Sequence, residues 1–382
     1  MNPLDAFPEK QQLLQESIAR HQADNTTSFN KYFIERRIAW GKEVSAKQRV
    51  YLDTNYWVAL CEFSLGRSTD NDDRKLSRLL GELVTGGRII CPITYHHFQE
   101  LMRQSDPITR METARVMDRL SGQAVLQPFP VILSFELDSA VALIMQNSPH
   151  VFPAQFRIWT HPAYILGDHS PKSQELPEQF MLLMKKSMDD VMWSLSLSQL
   201  LQSLPTLKTD FQQEEQALID RINTGKDSNP ISNASFTDYF KAEVIGVFSL
   251  LGDELIRSVK VVEALNDIKP EYLVDEKAKL KLLMSKLIQC TVERKMDAVL
   301  PFIVVQSLIH ASTRYETKRR FKAGDLEDIG HAAAALPYYN YFFTESSLGH
   351  RVTTNPTDIS SIYGTTVARS KKEAISILES LK

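Results

Sequence analysis

Cysteine is scarce in this sequence: Cys61, Cys91 and Cys290 are the three in 382 residues. They are too few and too scattered for a disulfide framework or a zinc site, and Cys61 and Cys91, set in apolar runs, read as small core residues. No window reaches the roughly 18 uninterrupted apolar residues that a membrane helix needs. The first residues carry acids and glutamines where a secretory leader needs a basic start and an apolar stretch, so a cytoplasmic protein is expected, with no membrane partner. Neither sign of charge dominates. The 44 Lys+Arg against 47 Asp+Glu leave a formal charge of -3, which argues against a strong non-specific nucleic-acid binder while leaving room for a local basic groove. There is no repeat at a fixed period, no low-complexity tract and no His-Glu-x-x-His pair. The polar stretch Gly66–Asp73 holds three aspartates but lacks the spaced ligands of a calcium loop, and reads as a loop and helix cap.

What is present is an ordinary globular composition, 43% hydrophobic and 24% charged, in a length suited to one domain with a large insertion or to two domains. Near the end of the chain, Gly324-Asp325 is a helix-start signal, with the Asp carboxylate placed to cap a free backbone N–H. Four alanines, Ala332–Ala335, then give a slim helical surface, and Leu336-Pro337 predicts its stop. The aromatic run Tyr339–Thr344 reads as a short buried strand. Asp328 therefore falls on the first turn of a helix and Glu345 just past a strand end.

Two earlier stretches supply partners. Gln48–Leu52 is an apolar strand ending at Asp53, followed by a helix. Gly87–Thr94 is a second strand, leading into the helix Tyr95–Met102 that carries Glu100. In an open parallel sheet, the carboxyl ends of strands and the adjoining helix starts line the functional crevice.

With these segments in this order the sequence resembles the PIN-like nucleases. The matches are Leu52-Asp53-Thr54-Asn55, the segment from Thr94 to Glu100-Leu101, Asp328 ahead of the alanine-rich helix, and Phe343-Thr344-Glu345. The resemblance covers segments 48–125 and 315–382. It implies an α/β fold, a parallel sheet flanked by helices and here interrupted by a large all-α insertion. It also implies Mg²⁺ or Mn²⁺ held by acids at one sheet edge, and hydrolysis of phosphodiesters, most often in RNA, with DNA left open. Asp53, Glu100 and Asp328 are then the core ligands, Glu345 completes the set or holds water, and Asp325 stands in reserve. Thr54, Asn55 and Thr344 orient the ligands. Oxygen ligands suit Mg²⁺ or Mn²⁺ over Zn²⁺, and crowded carboxylates need such a cation because like charges raise each other's pKa. The last acid departs from the family pattern, being Glu345 beside Ser346 where an Asp is common. A non-catalytic binding module on the same fold is the competing reading.

The remaining segments divide as a helical arm (1–47), a first PIN-like part (48–127), a helical insertion (128–313) and a second PIN-like part (314–382). The arm predicts helices over Glu9–Gln22, with Leu13, Leu14, Ile18 and His21 on one face, and from Phe29 to about Lys42. Its Lys31, Arg36, Arg37 and Lys42 read as a solvated face or as phosphate contacts. The insertion shows no strand alternation and is expected to stand as a separate helical lobe, available for a homodimer contact or a protein partner. Within it Asp189-Asp190 read as the polar edge of an amphipathic helix, and Gly225–Pro230 as a loop tip. The basic run Arg314, Lys318, Arg319, Arg320 and Lys322, with Tyr315 and Phe321 interleaved, suits a nucleic-acid backbone. A helix end with Lys and Arg is equally favoured by the helix dipole. His96, His97 and His331 lie near the acids and are candidates for substrate contact.

Overall fold

In a computed structural model, described over residues 7–23, 26–145, 153–167, 171, 176–204, 211–228, 234–265, 276–316, 319–322 and 324–382, the chain is mostly helical around a small parallel sheet. Four strands, β1 (Gln48–Leu52), β2 (Ile89–Ile90), β5 (Tyr341–Phe343) and β6 (Thr366–Ala368), lie in the order β2-β1-β5-β6, all parallel. A fifth, β3 (Val125–Leu126), touches the β2 side through the Ile93–Val125 bridge. From β1 the chain passes outward to β2, while β5 and β6 extend the sheet on the other side. The strand order therefore reverses between β1 and β5, where an open α/β sheet leaves its crevice.

The period-2 alternation of a strand sends neighbours to opposite faces. Tyr51, Ile90, Leu126 and Phe342 belong to one buried cluster. Val50, Leu52, Ile89, Val125 and Phe343 belong to the other. On the second face lie α3 (Thr54–Ser64), α4 (Asn71–Thr85), α5 (Tyr95–Arg103), α6 (Pro107–Ser121) and the C-terminal helix Lys371–Ser380. The first face carries α7 (Phe129–Ile144), α14 (Pro301–Tyr315) and α15 (Asp325–Tyr338), with α11 (Phe236–Leu250), α12 (Gly252–Leu265) and α13 (Glu276–Val292) behind them. No helix among the described residues is long and apolar enough to cross a membrane.

Several expectations change. The inserted helices do not stand apart: their buried residues form one continuous cluster with Tyr51 and Phe342 of the sheet. The reason lies in α14, whose Phe302, Ile303, Val304, Val305, Leu308 and Ile309 are all buried, so this helix packs both ways and fuses insertion to sheet. Nor is the insertion wholly helical, because β4 (Trp159–Thr160) pairs antiparallel with β3, and two residues are too short to show an alternation. Of the expected loop tip Gly225–Pro230, Gly225–Ser228 form the last turn of α10 (Phe211–Ser228), and Asn229 and Pro230 lie outside the described residues. Lys226 holds that turn by donating its Nζ hydrogens to the carbonyls of Thr313 and Glu316, each at 2.9 Å, at the end of α14. Pro337 lies inside α15, one residue before its end at Tyr338. Burial of Leu336 and Tyr338 on either side outweighs the local preference.

The arm, α1 (Pro8–Ala23) and α2 (Phe29–Ser45), packs against α8 (Glu178–Trp193) and, through α2, against residues 154–160. The side chains that α1 buries are Lys10, Ser17 and His21, while Leu13, Leu14 and Ile18 stay half-exposed. Asp189 and Asp190, far from being a solvated edge, are buried. Asp190 accepts from Arg36 (2.7 Å), Ser17, Tyr32 and Arg20, and meets His21 Nε2 at 3.1 Å. Asp189 pairs with Arg36 at 3.1 Å and accepts from Tyr164. Arg36 and Arg37 thus point into the protein. Hydrophobic periodicity finds apolar seams and is blind to one built from charge.

Candidate active site

Asp53 follows the last residue of β1 and is the N-cap of α3, where its Oδ1 accepts the Thr54 N–H at 2.8 Å. Its Oδ2 accepts the Thr344 hydroxyl at 2.7 Å, from the end of β5. The Thr54 hydroxyl turns the other way and donates to Glu100 Oε2. Glu100 Oε1 lies 3.4 Å from His331 Nε2, and His331 Nδ1 is bonded to the Tyr51 hydroxyl. One hydrogen-bonded chain, Tyr51–His331–Glu100–Thr54–Asp53–Thr344, therefore crosses β1, α15, α5, α3 and β5 at the reversal point.

Local sequence explains how α5 and α15 come to meet. Thr94 caps α5 in a reciprocal box with His97, whose Nδ1 accepts the Thr94 N–H at 3.1 Å. On α15, Gly330 leaves no space to spare: a Cβ there would overlap the His96 ring. One turn earlier Arg103 pairs with Glu327. Side chains three or four residues apart share a helix face, so His96, Glu100 and Arg103 of α5 face Glu327, Gly330 and His331 of α15. His97 is thus a capping residue and His96 a packing residue. Burial pushes both imidazoles down to about 3, with the His331 charge adding to it, and both are neutral at physiological pH.

The electrostatics of the acids divide by environment. Burial works against an ionised Glu100, but hydrogen bonds from His331 and Thr54 outweigh it and hold the carboxyl down to about 2. Burial likewise works against a charged His331, yet the bond and charge of Glu100, with Asp53 and Asp328 behind it, hold the ring above its ordinary value. Asp328 goes the opposite way. Burial, reinforced by the charges of Glu345 and Asp53, pushes it up to about 6 despite the nearby Arg351. Asp53, Glu100, Asp328 and Glu345 are thus within electrostatic reach of one another or of His331.

The remaining sequence candidates fall as follows. Glu345 is exposed at the start of the helix Ser346–Thr353, where its carboxylate accepts from the Ser347 hydroxyl. Asn55 is exposed and shares with Tyr56, Thr344, Glu345, Arg369 and Lys371 a cleft of about 290 Å³. Gly324, at φ 86°, is the N-cap of α15, and Asp325 is its first residue. Its carboxylate does not cap the helix but accepts Lys322 N–H at 2.8 Å, Arg319 at 3.0 Å and Arg351 at 3.3 Å. A glycine reaches this left-handed geometry without strain, which frees the aspartate for the arginines. Of the basic run, Arg319 alone is seen to reach the acids. Arg314 pairs with Glu243, Arg320 with Asp227 on the surface, Lys322 is exposed, and Lys318 lies outside the described residues. Phe321 is buried against His310, while Tyr315 packs on Phe236 and Tyr239.

Sequence reading missed Tyr51, Thr94 and Arg351. Tyr51 and Thr94 resemble ordinary strand and capping residues, and only the meeting of β1, α5 and α15 gives them a shared role. Arg351 sits in a helix with no basic run to mark it.

Among the described residues, no group of three or more His, Cys, Asp or Glu side chains stands arranged to hold a metal ion as placed. The chemistry of the donor set fits a hard divalent cation nonetheless. Asp53 and Glu100 are each oriented by a hydroxyl or N–H that leaves carboxylate lone pairs free. No protein-family model matches the chain, no curated protein matches it, and no solved structure matches it.

Proposed function

We propose that this chain is a metal-dependent endonuclease of PIN-like type, hydrolysing phosphodiester bonds in RNA. The observation that carries the reading is the hydrogen-bonded chain that fixes Asp53 and Glu100 at the reversal point of a parallel sheet, beside Asp328. Asp53, Glu100 and Asp328 are the residues that would hold Mg²⁺ or Mn²⁺, with Glu345 at the rim. Such an ion polarises a phosphoryl oxygen and lowers the pKa of bound water. The protein's own residues prepare for it. His331 and Thr54 hold Glu100 below the ordinary carboxylate value, Thr54 and Thr344 hold two carboxylates in fixed directions, and burial, with the charges of Glu345 and Asp53, raises Asp328. Orienting groups of this kind sustain ligand geometry and basicity.

A second reading, a binding module without catalysis, draws on Glu345: it departs from the family residue, is exposed, and spends its carboxylate on Ser347. Cleavage of labelled single-stranded RNA, with DNA of the same sequence alongside, separates the two readings. Product that requires Mg²⁺ or Mn²⁺ and disappears with chelator supports the enzyme. Absence of cleavage across several RNA and DNA substrates moves the assignment to the binding module.

A further inference from the structure

Beside Asp328 lies a half-open cavity of about 500 Å³, lined among others by Ser312, Arg319, His350, Arg351, Thr354 and Asn355. Arg351 is 9% exposed, and among the described residues its Nη2 alone has a hydrogen-bond partner, Asp325 Oδ1 at 3.3 Å. Its Nε and Nη1 are buried with no hydrogen-bond partner among the described residues. Arg319 bonds the same Asp325 oxygen at 3.0 Å. Two guanidinium groups thus share one carboxylate, whose other oxygen is taken by Lys322 N–H. Asp328 and Glu316 also line the cavity, so the arginines are not in charge excess, but two nitrogens of the Arg351 guanidinium lack an acceptor at a wall that also presents hydroxyl groups. A buried N–H without an acceptor is costly, and a guanidinium fork matches the oxygens of a phosphate. The cavity exceeds a bare phosphate and falls within the range of small-molecule sites.

We propose that this cavity is a nucleotide subsite in which Arg351 and Arg319, anchored by Asp325, bind a phosphate group next to the acids. Only the bearer of that phosphate, a nucleic-acid strand, rests on the nuclease reading; the anion site itself does not. Asp325 is then the anchor of two phosphate-binding arginines.

The test is binding without catalysis: titration of the full chain, in the absence of divalent ions, with inorganic phosphate, with a 5′-phosphorylated trinucleotide and with the same trinucleotide lacking that phosphate. Inorganic phosphate is expected to bind at about 1 mM or tighter, and the phosphorylated trinucleotide tighter still. Arg351→Gln and Arg319→Gln are each expected to weaken phosphate binding at least tenfold, while Arg78→Gln on α4, an equal change of charge, leaves it unaltered. Should Arg351→Gln lower the melting temperature sharply, the half-exposed Arg319→Gln decides. Equal affinity for the two trinucleotides would assign the site to an internal phosphodiester, provided Arg319→Gln weakens both. No binding of phosphate or of either trinucleotide, or unchanged affinity in both arginine variants, overturns the proposal. Wild-type cleavage of RNA without phosphate binding would leave the nuclease standing and remove the subsite. Phosphate binding that depends on Arg319 and Arg351, without any cleavage, would do the reverse.

Discussion

Arg36 of α2 and Asp190 of α8, 154 residues apart in sequence, meet at 2.7 Å with the carboxylate buried. Asp190 also gathers Ser17, Arg20, His21 and Tyr32, so one acid fastens both arm helices to the body. Burial works against its charge, but these donors outweigh it and hold its carboxyl below the ordinary value. Removing one member of a buried ionic network strands the others. Asp190→Asn is therefore expected to lose about 3 kcal/mol or more in urea unfolding, and limited proteolysis should then cut within residues 7–45 first. An unchanged unfolding midpoint would mean that the arm is held elsewhere.

The proposed cation is tested at Asp53. Ligand that binds only the folded state raises its stability by mass action. Mn²⁺ should raise the melting temperature of the wild type, and Asp53→Asn should largely abolish that rise. Equal responses of the two proteins would take Asp53 out of the site.

The proposed catalysis is tested at Asp328. That aspartate follows three residues of the first turn of α15, and a neutral Asn keeps that helix start. Asp328→Asn should remain folded by circular dichroism and lose at least about a hundredfold in RNA cleavage, the scale seen when a group stabilising transition-state charge is lost. Glu345→Gln should lose less, since the Glu345 carboxylate is exposed and engaged with Ser347. Undiminished cleavage by Asp328→Asn would point to a contaminating nuclease or another site.

Glu136 gives a test away from the site. It is fully buried on α7, accepting from Phe302 N–H (3.1 Å) and the Tyr338 hydroxyl, and burial pushes it up to about 8 in spite of those bonds. A raised acid favours folding fully below its unfolded value, and that contribution is lost as pH rises through the folded one. Stability should fall from about pH 4.5 to about pH 8, at no more than about 1.4 kcal/mol per pH unit. Glu136→Gln should flatten this slope and be the more stable protein at pH 9. Parallel curves for the two proteins would show that Glu136 ionises normally.

How much of this was legible beforehand depends on what each feature is made of. β1, β2 and β5 announced themselves by short apolar runs ending at turn or capping residues, which placed Asp53, Asp328 and Glu345 at strand ends or a helix start, whereas their grouping with Glu100 came from the PIN-like resemblance. The arm was legible as two helices, but its attachment was not, because Asp190 and its donors are scattered over 173 residues and carry no periodic signature. The pairing of β3 with β4 was hidden by its two-residue length. The fusion of insertion and sheet was hidden because an apolar helix such as α14 reads the same whether it is buried on one side or on both.

β5 lies between β1 and β6, so one of the middle strands of the sheet is contributed by residues 341–343. A ribosome making this chain therefore releases β1 long before the strand that will pair with its second edge, and Asp328, His331 and Thr344 emerge only in the last part of synthesis. Until then β1 offers an unpaired edge to any neighbouring strand, and half of the acidic site does not exist. A chain stopped before residue 340 holds Asp53, Glu100 and Asp328 but lacks Thr344, Glu345 and the two strands that extend the sheet beyond β1.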